Sequence, residues 1–171
     1  ELWEVRRGLE GQIAPLAAGR RSGVDIEKLR TLTDEMRGHR SSSEAFVRSG
    51  IAFHRTLAGA AGNTVLLTLW EAIAGLIEKS QRRIIGIPGQ PDEALAKHEA
   101  LLAAVESGDT EGASAAMREH MEAEGEHLRA ALIAAGGAEL ISELKNHPNT
   151  NATDETQDKI EKGEARIRIS A

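Results

Sequence analysis

Three histidines carry the chemistry that is legible in this sequence. His54 lies three residues after Ile51 and three before Leu57, His98 is flanked by Leu95 and Leu102, and His120 follows Met117 by three and precedes Glu124 by four. Residues three and four apart share one face of a helix, so each imidazole points inward with its apolar neighbours. An inward histidine is commonly a core residue that donates to a carbonyl. Three on separate helices would each cost about 1–3 kcal/mol if buried without a partner. One divalent ion satisfies all three through a single nitrogen apiece. No H-E-x-x-H pair fixes a metal geometry, so spacing leaves both readings open.

Arg6 is the other informative residue, because it shares a face with Leu2, Leu9 and Ile13. A guanidinium there needs an anionic partner. Glu10, one turn later, supplies one as an intrahelical pair, and this is the favoured reading. The alternative is a ligand carboxylate held bidentately inside the bundle. His127 sits two turns beyond His120 on nearly the same face, either behind the histidine set or solvated near a helix end. His39 and His147 fall in expected loop and tail and carry no argument.

These residues must be positioned by helices. The chain has 171 residues, 40% of them hydrophobic but only 2% aromatic, with no Tyr. A core of Leu, Ile, Val and Ala suits packed helices better than a β-sandwich. A net charge of −6 indicates no broad basic surface for nucleic acid. With no Cys, disulfides and thiolate metal sites are excluded, metal ligands must come from His, Asp and Glu, and a cytoplasmic location is expected. No stretch approaches the roughly 18 apolar residues of a membrane span. The chain opens at Glu1, inside an amphipathic pattern and without Met, which reads as a fragment of a longer protein.

Apolar periodicity predicts six helices. The first carries Leu2, Val5, Leu9, Ile13 and Leu16, with a kink expected at Pro15. The second carries Ile26, Leu29, Leu32 and Met36 after a Ser22-Gly23 break, and the third runs from Phe46 through His54 to Ala61, closed by Gly62-Asn63. The fourth shows Val65, Leu66, Leu69, Trp70, Ile73, Leu76 and Ile77 and extends toward Ile84, before a loop over Gly86–Pro91. Leu95, His98, Leu102 and Val105 mark the fifth. Asp109 caps a sixth, with Ala113, Met117, His120, Glu124, Leu128 and Ala131 on its inner face. Gly136-Gly137 is expected to stop or interrupt it, with a short helical stretch following through Leu144. A helical domain is thus expected over 1–145 and a polar tail over 146–171. That tail holds an Asn151-Ala152-Thr153 sequon and a strand-like alternation near Ile167.

Several segments together resemble the C-terminal ligand-binding (FCD) domain of the FadR subfamily of GntR-type bacterial transcription regulators. They are Glu1–Glu10 with Ile13-Ala14 and Leu16–Ala18; Phe53–Ala58 with Ala60–Asn63; Lys97–Val105 with Gly108-Asp109; and Ala116–His120. The resemblance covers about residues 1–135. It implies an all-α antiparallel bundle of six or seven helices enclosing a cavity, a homodimer, and a winged helix-turn-helix preceding Glu1 through which operator DNA is bound. It also implies a divalent metal, zinc first with nickel or manganese as alternatives, held by one Asp and three His beside a small organic or sugar acid. Carried over by position, the histidines are His54, His98 and His120, and the arginine that meets a ligand carboxylate is Arg6.

The chain departs from that pattern at the carboxylate, four residues before His54, where it has Gly50. Glycine inside a helix costs roughly 1 kcal/mol relative to Ala, so helix propensity does not recommend it. A three-His site would bind metal more weakly but keep the ion's full charge and an open position, favouring direct ligation by an anionic effector. The alternative is that the metal is lost and the histidines bind the ligand directly. The expected function is effector sensing. Its rivals are a metal-dependent hydrolase, with Glu124 the one candidate base on that face, and a purely structural oligomerisation bundle.

Overall fold

A computed structural model describes the backbone of residues 1–146 and the side chains of residues 1–136. The expected tail, with its sequon and strand-like alternation, lies outside the described residues from position 147 onward. Six helices and no strand occur among the described residues: α1 Leu2–Arg20, α2 Gly23–Gly38, α3 Ser43–Ala60, α4 Thr64–Ile84, α5 Gln90–Ser107 and α6 Thr110–Asn146. Residues 1–132 form one compact unit, which contains all the side chains discussed below, and the described residues from 133 onward belong to a second.

Local chemistry sets the helix ends. Ser22 and Asp25 form a reciprocal capping box at the start of α2. Asn63 accepts the N–H groups of Val65 and Leu66 to begin α4, and Asp109 accepts that of Gly112 at 2.8 Å at the start of α6. Gly108, at φ +79°, closes α5 in the left-handed conformation that only glycine adopts without strain.

α1 keeps Pro15 inside it, as expected, and runs on to Arg20. Two other boundaries differ from expectation. Gln90 and Pro91 belong to α5, because Pro fits the first turn, where its missing N–H has no partner to lose; the loop is correspondingly shorter. α6 passes through Gly136-Gly137 without a stop, both glycines keeping helical backbone.

The core lies between the inward faces of the helices and includes Leu29, Met36, Phe53, Leu57, Trp70, Ile77, Leu101 and Met117. Two faces depart from the apolar pattern. On α1 the buried set is Arg6, Glu10, Ile13, Ala14, Ala17 and Ala18, whereas Val5 is 55% exposed. On α4 only Trp70, Ile77 and Ile84 are buried, leaving Val65, Leu69 and Leu76 in the open on the far face.

α1 is tied to α6 by Trp3, whose indole Nε1 donates to the Met121 carbonyl at 2.6 Å. That approach requires glycine at position 125, where a Cβ would stand 2.5 Å from the same indole nitrogen. Gly125→Ala therefore displaces the indole. The expected result is a loss of about 1 kcal/mol by denaturant melt, overpacking outweighing the gain in helix propensity. In a Trp3→Ala background the same substitution is expected to become stabilising. Independence of the two effects would contradict the contact.

Candidate metal and ligand site

The helices bring the three predicted histidines together. His54 comes from α3, His98 from α5 and His120 from α6, all buried, and one ring nitrogen from each lies within 4.8 Å of the others. The His54 and His120 rings stack at 5.1 Å between centroids, with their Nε2 atoms 3.1 Å apart, and His98 stands edge-on to both. Phe53 packs its ring edge-to-face against His98 at 5.0 Å.

Contacts behind the rings fix which nitrogen faces inward. The Nδ1 of His98 donates to the Ala94 carbonyl at 2.7 Å. A carbonyl only accepts, so the proton is on Nδ1 and the lone pair on Nε2. That Nε2 is buried without any hydrogen-bond partner. Burial, then the neighbouring His120 and His54, push the His98 imidazole well below its usual range, so the ring stays neutral. On His54, Nδ1 meets the Glu10 carboxylate, which leaves its Nε2 toward the other rings. A carboxylate or carbonyl behind a histidine, with the free nitrogen in front, is the usual support of a metal-binding imidazole.

Arg6 sits deep rather than reaching solvent, at 4% exposure. Its Nε donates to Glu10 Oε1 at 2.7 Å, bearing out the favoured intrahelical pair, and its Nη1 donates to Glu124 Oε2. The other oxygen of Glu124 lies 3.1 Å from the Nε2 of His120. Burial alone would raise both carboxyls, but Arg6 and the histidines outweigh it, holding Glu10 at about 2 and Glu124 well below the usual carboxylate range. The guanidinium, despite burial, is held charged by both carboxylates. Two carboxylates bridged by one guanidinium thus stand beside the histidines, a setting that favours a cation.

Gly50 lies on the open side of this arrangement. A Cβ there would be 3.8 Å from His98 Nε2 and 3.7 Å from Met36 Sδ, in ordinary contact, so a side chain at position 50 would face the histidine set. Beside it is a cavity of about 20 Å³, lined by Gly50, His54, His98, Arg6 and Glu124 among others, with apolar walls such as Phe46 and Ile77. It has room for roughly one water or ion rather than an organic acid. The orphaned Nε2, the convergent nitrogens and the neighbouring carboxylates all fit a divalent cation held by His54, His98 and His120.

This fold has relatives. The profile of the FCD domain family matches residues 1–123. The chain belongs to that family. Among curated relatives, the FCD domain here is 29% identical over 126 residues to the HTH-type transcriptional regulator LutR of Bacillus subtilis (strain 168), covering 71% of this chain and 58% of that protein. It thus spans little more than half of that relative. Two solved structures share the fold. E. coli McbR/YncC superposes with a TM-score of 0.68 at 19% identity, over 76% of this chain and 67% of that one. Streptococcus agalactiae GntR superposes at 0.60 and 23% identity, over 71% and 55%.

Sequence reasoning singled out the three histidines, Arg6 and Gly50. It missed Glu10 as the residue behind His54 and Glu124 as the second partner of Arg6. Both carried a signal, one turn after Arg6 and one turn after His120. His127 does not stand behind the set: it pairs with Glu93 at 3.4 Å, half-buried.

Arg6→Met is expected to strand two buried carboxylates and cost about 3–5 kcal/mol at neutral pH. In the native protein Glu10, at about 2 against an ordinary 4.5, stabilises the fold fully above about pH 4.5 and progressively less as pH falls toward 2. The penalty of Arg6→Met should therefore shrink on acidification. Denaturant melts of both proteins between pH 7 and pH 2.5 check this; a penalty that does not change with pH contradicts the ion-pair account.

Proposed function

We propose that this FCD domain is the effector-binding and dimerisation part of a GntR-family, FadR-subfamily transcription regulator of the cytoplasm. The observation that carries the reading is the convergence of three inward imidazoles within an FCD fold, one with an orphaned Nε2 and two of them, His54 and His98, lining a cavity beside Gly50. A divalent cation, zinc first with nickel or manganese as alternatives, would be held by His54, His98 and His120. When bound it supplies positive charge and an open position for an anion.

The effector is a small organic or sugar acid. Its carboxylate approaches from the side of Gly50, where the glycine itself presents no side chain, and meets the histidine set and Arg6. Arg6 already holds Glu10 and Glu124, so an incoming carboxylate either uses the remaining Nη2 or takes over a contact from Glu124. The cavity is smaller than such an acid, so binding must part the helices that wall it. That requirement couples ligand to conformation, because the ligand favours the parted state. The bias would reach operator DNA through a winged helix-turn-helix preceding this domain. Among the described residues no helix is long and apolar enough to cross a membrane.

A hydrolase reading is disfavoured by the state of its one candidate base. Glu124 is held by Arg6 and His120 well below the usual carboxylate range, which makes it a poor proton acceptor near neutral pH. For the homodimer, Val65, Leu69 and Leu76 offer an exposed apolar stripe along α4, with residues four and seven apart sharing one face.

Two outcomes test this reading. Purified protein should carry stoichiometric metal by elemental analysis, lost in His98→Ala, and its melting temperature should rise with some members of an organic-acid panel only when metal is present. Full metal content in a triple His54→Ala, His98→Ala, His120→Ala variant, or a melting temperature indifferent to metals and acids, would overturn it. Leu69→Glu combined with Leu76→Glu should shift the protein to monomer in sedimentation while leaving metal content intact. An unchanged dimer would place the interface elsewhere.

A further inference from the structure

We infer that Glu124, on α6, supplies the carboxylate ligand of the metal site that position 50 of α3 does not. The inference rests on the three-His metal reading above and names the donor that completes it.

The geometry has three parts. Glu124 Oε1 lies 3.1 Å from His120 Nε2, the same separation as that between His54 Nε2 and His120 Nε2. Two donors sharing one ion at about 2.0–2.1 Å each are separated by roughly 3 Å, so both pairs stand at the spacing of neighbouring ligands. Second, the two oxygens of Glu124 are divided in role. Arg6 Nη1 anchors Oε2, and this leaves Oε1 turned toward the histidines. Arg6 is thus a positioning residue for Glu124. Third, Glu124 is buried at 7% exposure and lines the same cavity as Gly50, His54 and His98.

Glycine at position 50 then has an account. A carboxylate there would enter a site already holding Glu10 behind His54 and Glu124 beside His120, and would be the third buried carboxylate around the histidines. With the carboxylate delivered from α6, the α3 side stays open, and the anionic effector has an approach that an Asp at position 50 would obstruct.

The test is calorimetric titration of the whole protein with Zn²⁺ alone, for the native chain, His98→Ala, Glu124→Gln and Gly50→Asp combined with Glu124→Gln. Glu124→Gln keeps the shape and makes the Arg6–Glu10 pair neutral, so the fold is expected to hold; Glu124→Asp serves as a second variant that keeps the charge and withdraws the oxygens. Zinc affinity is expected to fall at least about tenfold in Glu124→Gln and in Glu124→Asp, and to recover when Gly50→Asp is added. Visible spectra of the Co²⁺ form separate ligation from charge alone. Glu124→Gln should change the d–d bands, and Gly50→Asp should restore an oxygen-ligated pattern. Native zinc affinity that survives His98→Ala overturns the three-His reading and this inference with it. Zinc binding that is lost in His98→Ala but equal or tighter in Glu124→Gln, with an unchanged Co²⁺ spectrum, overturns only the role of Glu124.

Discussion

The organisation of this domain depends on one buried guanidinium. Arg6 reaches from α1 between Glu10 on its own helix and Glu124 on α6, and each carboxylate in turn touches a histidine. None of these groups is stable in an apolar interior alone, since desolvating a charge costs several kcal/mol that only close partners offset. The network therefore holds α1, α3 and α6 in one relative arrangement and places His54 and His120 in front of the carboxylates. His98 joins from α5 by a separate device, its ring oriented by its own helix through the Ala94 carbonyl. Trp3, seated on Gly125, fastens the same two helices near Arg6.

Most of the fold was legible because helix periodicity and helix punctuation are local signals. The six helices and caps such as Gly108 and Asp109 follow from residue types within a few positions. The errors have equally local causes. On α1 Val5 reads as part of the inner face with Leu2, Arg6 and Leu9, yet it is exposed, because apolar spacing alone does not fix which edge of a helix face is covered. On α4, apolar residues on the far face read as core although they are exposed, because a sequence pattern cannot tell a core from an interface. Gly136-Gly137 read as a break, yet two glycines weaken a helix without forbidding it.

The site was half legible. Inward histidines and an inward arginine can be seen from spacing, and family resemblance drew attention to Gly50. That Glu124 divides its oxygens between Arg6 and His120 depends on α1 and α6 meeting, which no local pattern encodes. The same contact gives the site its character: a nearly filled pocket in which two carboxylates, a guanidinium and three imidazoles meet, His98 held neutral by burial. The carboxylates favour a cation, and the proposed divalent ion would in turn attract an anionic ligand. Sensing then follows from two constraints, charge compensation and a cavity too small for the ligand unless the helices part.

The most direct measurement is X-ray absorption at the edge of zinc bound stoichiometrically to the purified protein. The account predicts imidazole scattering from three histidines together with an oxygen donor, all at about 2.0–2.1 Å. A spectrum of oxygen and water ligands without imidazole would contradict it, because the metal would then lie outside the buried histidine set.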